Sequence, residues 1–88
     1  MLDRARSALA RGDDASALLA LQEHEQLFPA GRLREEREAT LIQVLVLRGE
    51  LAEARQRAAA FRTMHPRSML LPAVETALTA ADGGASSQ

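Results

Sequence analysis

The reading of this chain turns on Arg48-Gly49-Glu50-Leu51-Ala52-Glu53-Ala54, which continues through an Ala-rich amphipathic segment to Phe61 and is closed by His65-Pro66. An earlier stretch, Arg11-Gly12-Asp13-Asp14-Ala15-Ser16-Ala17, runs to Phe28-Pro29 in the same way. Gly12 and Gly49, Ala17 and Ala54, and Pro29 and Pro66 each stand 37 positions apart. Arg11/Arg48, Ala15/Ala52, Leu33/Leu70, Glu38/Glu75 and Leu41/Leu78 obey the same offset. A fixed period of this size marks a repeat architecture, in which one supersecondary unit stacks on copies of itself.

Outward from the two turns, hydrophobic periodicity predicts an all-α domain over residues 1–81, with five antiparallel helices at about 2–11, 14–28, 32–48, 50–64 and 70–81. Gly12 and Gly49 end helices because Gly takes the left-handed conformation after a last turn without a Cβ penalty. Asp13, Asp14 and Glu50 follow them, acids favoured at the positive N-terminal end of the next helix. Pro29 and Pro66 close the second and fourth helices, since the residue before Pro is pushed out of the helical region. The stripe Ala17, Leu18, Leu21, His24, Phe28 buries one face of the second helix, and Leu51, Ala54, Ala58, Phe61 that of the fourth. The third helix is charged at its start and apolar almost all round from Leu41 to Leu47, so it must be covered from several directions. Residues 82–88 carry no periodicity and are expected to form a disordered tail. The repeat is already under way in the first helix, as in an excerpt from a longer array.

Composition bounds the function classes. The chain has 88 residues, no Cys, and 11 basic against 12 acidic residues, mixed along its length. That leaves no disulfide framework, no thiolate metal site and no basic field for nucleic acid. Phe28 and Phe61 are the only aromatics, too few for a base-stacking platform. The longest apolar run, Leu41 to Leu47, falls far short of the roughly 20 residues of a membrane-spanning helix. Met1-Leu2-Asp3-Arg4 lacks the apolar core of a signal peptide. All basic residues are Arg, which with the abundance of Ala and Leu accords with GC-rich bacterial coding and leaves cytoplasm and periplasm both open.

The Gly, Ala and Pro spacing resembles the tetratricopeptide repeat, a helix-turn-helix unit with a Gly at the turn, a small residue where the helices meet and a Pro at the end. The resemblance covers about residues 2–81 and implies a right-handed solenoid of helical hairpins. The period departs from that family, being 37 here against about 34. Asp14 and Leu51 stand where it places an aromatic, and the early Trp is missing. Extended units of this kind resemble those of bacterial cell-envelope proteins. The resemblance further implies a groove lined by the first helices of successive units. Its matching positions here are Arg6 and Ala10, then Glu36, Ala39, Gln43 and Leu47, then Ala73, Thr76 and Ala80. The polar residues with which that family clamps a peptide carboxylate are not reproduced. The groove is instead apolar around Val46 and Leu47, unless the last helix covers both.

No residue pattern in the chain carries chemistry. His24 maps onto Phe61 at the repeat offset, which predicts a packed, hydrogen-bonded ring rather than a base or ligand. His65 precedes Pro66 at a helix C-terminus, where the dipole favours positive charge. Arg34-Glu35-Glu36-Arg37-Glu38 alternates in sign and reads as a solvated face, not as a paired-carboxylate site. The expectation is therefore a non-enzymatic module with no cofactor or metal, which binds a helical or apolar segment of a protein partner. The alternative is a structural segment that spaces or self-associates within a larger envelope or regulatory protein.

Overall fold

A computed structural model describes the backbone of residues 2–27 and 33–86, and side chains as far as Ala81. Among the described residues five helices follow one another: α1 (Leu2–Ala10), α2 (Asp14–Leu27), α3 (Arg34–Leu47), α4 (Leu51–Met64) and α5 (Leu71–Ser86). The fold is all-α, with α1 and α2, and α3 and α4, paired as antiparallel hairpins. The first-unit stop at Phe28-Pro29 and the connection through Arg32 lie outside the described residues.

The hairpin turns form as the sequence dictates. Gly12 has φ 74° and Gly49 φ 81°, both in the left-handed region. After α1 the Asp13 N–H donates to the Ala8 carbonyl at 2.8 Å and the Gly12 N–H to Leu9 at 3.0 Å. After α3 the Glu50 N–H donates to Leu45 at 2.9 Å and the Gly49 N–H to Val46 at 3.0 Å. These bonds satisfy the last carbonyls of each helix in the Schellman pattern. A Cβ built on either Gly meets nothing within 4 Å. Gly12→Ala and Gly49→Ala should therefore cost only the backbone term, about 1–2 kcal/mol each, read as a lowered urea midpoint.

Asp13 caps α2, its Oδ1 accepting from the Ser16 N–H at 3.1 Å, and the hydrogen bonds from Ser16 hold its carboxyl below the ordinary value. Glu50 makes no such cap on α4. It pairs instead with Arg48 at 2.8 Å, and Arg48 reaches Asp14 of the first hairpin at 3.1 Å.

The core is built in two clusters that meet on α3. Leu2, Ala5, Ala8, Ala17, Ala20 and Leu21 pack with Val44 of α3. Ala39, Ile42 and Leu45 of the same helix pack with Ala54, Ala58, Phe61, Val74 and Leu78. Leu41 lies against both clusters, and α3 touches all four other helices. This is why its second half must be apolar on several sides.

One expectation is corrected at the C-terminus. Of the tail expected over 82–88, the backbone is helical through Ser86, and residues 87 and 88 lie outside those described. Gly83 and Gly84 are poor helix formers, but extending a helix that packing has already formed fixes one residue per hydrogen bond, whereas starting one is the costly step. No Pro follows Pro72 to stop it.

Candidate functional site

The helices α1, α3 and α5 lie side by side, with α3 in the middle. The 37-residue offset sets their side chains in rows: Arg6 with Gln43 and Ala80, Ala10 with Leu47, Glu36 with Ala73, and Ala39 with Thr76. Arg6, Ala10, Ala73, Thr76 and Ala80 are exposed, and Gln43 is half-buried. Arg6 and Glu36 form an ion pair that ties α1 to α3 across this face. Leu47, a large apolar side chain one turn from the uncharged Gln43 and at the repeat position of the small Ala10, is 44% exposed.

Two of the expected residues behave differently from the rest. Ala39 is only 4% exposed and belongs to the core cluster with Ile42 and Phe61. It cannot line a groove, because it packs into the cluster that residues of α4 and α5 build against α3. Val46 and Leu47 also divide: Val46 is partly buried against the core cluster, while Leu47 remains open.

A second concavity, of about 320 Å³, lies on the other side of α3 between α2 and α4. Leu18, Leu21, Leu41 and Leu45 form its apolar floor. Its rim is held by Arg48 to Asp14 and Glu50, and by Arg57 to Glu53 at 3.1 Å and to Glu38 at 3.8 Å. Glu50 first, and then Asp14, push the Arg48 pKa further up. The sequence signal for this concavity was the double-sided apolar pattern of α3, which says that the helix is covered but not how far apart its covers stand.

The structure also brings together Glu35, His65 and Ser68. The Glu35 Oε1 is 3.4 Å from His65 Nδ1, and its other oxygen accepts from the Ser68 hydroxyl. Activation of a Ser nucleophile requires the imidazole to sit against the hydroxyl, with the acid behind it. Here the acid stands between the two. The Ser68 oxygen accepts the Leu70 N–H at 3.0 Å in the turn that leads into α5.

His24 is packed and hydrogen-bonded as its repeat position predicts. It is 1% exposed, with Nδ1 3.2 Å from Arg37 Nη1. A guanidinium has only donors, so Nδ1 is the acceptor and the ring is neutral. Burial, the Arg37 charge and the amino-terminal charge, in that order, lower its pKa. Arg37 corrects the reading of residues 34–38 as a solvated face: Arg34 is exposed, Glu35, Glu36 and Glu38 are half-buried, and Arg37 is 4% exposed. The repeat offset places Arg37 on Val74, a core position.

Among the described residues no group of three or more His, Asp or Glu side chains could hold a metal ion, and no helix is long and apolar enough to cross a membrane. The fold and its faces define the chain as an all-α protein of antiparallel helical hairpins. Comparison with models of known protein families, with curated proteins and with solved structures found no match.

Proposed function

We propose that this chain is a non-catalytic protein-interaction module of the tetratricopeptide-like kind, which receives an amphipathic helix or apolar segment of a partner on the face of α1, α3 and α5. The observation that carries this reading is Leu47, exposed at 44% on the most buried helix of the domain. Ala10 and Gln43 beside it add neither bulk nor charge, which lets an apolar side chain approach closely. Arg6 and Glu36 satisfy each other and fix the spacing of α1 and α3 beneath the guest.

End-to-end self-association has less behind it. On the first helix Arg4 and Ser7 stand where the interior repeat has Leu41 and Val44, and on the last helix Thr76 and Thr79 stand where it has Ala39 and Ile42. Polar residues on outer helix sides are what keep repeat stacks from growing.

Gln43→Arg with Leu47→Glu should reduce partner capture at least about tenfold, the effect of losing a central apolar anchor. Gln56→Arg, on the exposed side of α4, should leave it unchanged. Equal capture by both variants, with helix content and unfolding midpoint preserved, would refute the assignment.

A further inference from the structure

The offset that equates the two turns also equates the two places where a second helix meets the next first helix. At the α4/α5 junction Phe61 and Val74 are 3% and 0% exposed in one apolar cluster. Beside them Arg62 Nε is 2.5 Å from Glu75. The same four positions at the α2/α3 junction are His24, Arg37, Glu25 and Glu38. His24 and Arg37 are buried against each other, and Glu25 and Glu38 both line the concavity between α2, α3 and α4. One junction is an apolar contact flanked by an opposite-charge pair. The other buries an imidazole against a cation and is flanked by two acids. Hairpin packing does not demand this difference, since the equivalent backbone positions accept Phe and Val.

We propose that the α2/α3 junction is an acid-sensitive joint: protonation of His24 against Arg37 releases the α1–α2 hairpin from α3, while α3, α4 and α5 stay together. As a neutral ring His24 accepts from Arg37; protonated, it has only donors and places a second positive charge beside the guanidinium. A buried charge facing a like charge is strongly disfavoured. The amino-terminal charge adds to the like charge at the ring, and the acids described on the neighbouring helices are placed elsewhere. On α2, Glu23 is engaged by Arg4 of α1 at 3.5 Å. On α3, Glu38 is drawn toward Arg57 of α4 at 3.8 Å, and Glu25 lies in the open concavity.

The direction of the pH effect follows from linkage. His24 titrates lower in the closed joint than the ordinary 6.5 it regains when released. Closure is therefore complete above that value, and below it weakens by up to about tenfold per pH unit until the closed form itself titrates. Carboxylates ordinarily titrate near about 4, so the window from about pH 5 to 6.5 reads the imidazole.

Hydrogen exchange on the full chain, corrected for intrinsic rates, tests the joint across that window. Amides of α1 and α2 should lose protection as pH falls, approaching about tenfold per unit, while those of α4 and α5 hold. His24→Gln, which keeps an acceptor for Arg37 and does not titrate, should flatten the dependence, and His65→Gln should leave it in place. His24→Phe with Arg37→Val, which copies the second junction into the first, should flatten it and raise protection at all pH values. Undiminished pH dependence in His24→Gln, or equal loss of protection in all five helices, would overturn the proposal.

Discussion

Phe61→Ala is expected to lower the free energy of unfolding by about 3–5 kcal/mol. Phe61 is 3% exposed and sits where α3, α4 and α5 converge, against Ala39, Ile42, Leu45, Ala54, Ala58, Val74 and Leu78. The loss has two parts, the transfer free energy of the ring and the cavity left behind. The second part should be large here. The small neighbours Ala39, Ala54 and Ala58 cannot extend into the vacated space, and the backbones that carry them are fixed by their own helices. A domain of this size has a total stability of roughly 4–13 kcal/mol, so the variant forfeits much of it. Phe61→Leu, which keeps most of the volume, should cost under about 1.5 kcal/mol. Urea unfolding of the two variants side by side reads the difference. A loss below about 1 kcal/mol for Phe61→Ala would mean that the three helices close over the gap and that the site is less tightly packed than its burial implies.

The features legible in the sequence are those fixed by local chemistry or by the repeat. Gly12 and Gly49 announce left-handed turns because few other residues adopt them, and both are found at positive φ. Ala17, Ala54 and Phe61 announce burial through the 3.6-residue period, and His24 inherits its place from Phe61. Arg37 could not be read in this way. Its neighbours in sequence are charged, and only its position opposite Val74 in the repeat reveals that α2 and α3 close over it. Ala39 shows the reverse error: the row it shares with Thr76 fits a groove, but its burial depends on how closely α4 and α5 close on α3. Glu35, His65 and Ser68 meet although 33 residues separate Glu35 from Ser68, a contact made by tertiary packing and invisible to spacing. For the proposed face of α1, α3 and α5, periodicity could place Val46 and Leu47 near it. Only tertiary packing decides that Val46 lies against the core cluster and Leu47 does not.

Ala54→Leu and Ala17→Leu make the same change at equivalent positions and should give different kinds of instability. Both alanines are 0% exposed where paired helices cross, and three added carbons have no space there. Overpacking of this kind costs typically about 1–3 kcal/mol. At position 54 the insertion forces α4 away from α3, and α3 carries both core clusters and touches every other helix. The damage therefore reaches the whole domain, and the urea midpoint should fall by the full amount. At position 17 the insertion lifts α1, a helix of nine residues that packs, among the described residues, against α2 and α3 alone. The cheaper response there is to release α1 locally, because doing so leaves the cluster around Phe61 intact. Ala17→Leu should thus abolish hydrogen-exchange protection in α1 while shifting the global midpoint less than Ala54→Leu does. Identical midpoint shifts with α1 still protected would show that the two hairpins behave as one cooperative unit, in which α3 transmits strain between its clusters rather than dividing them.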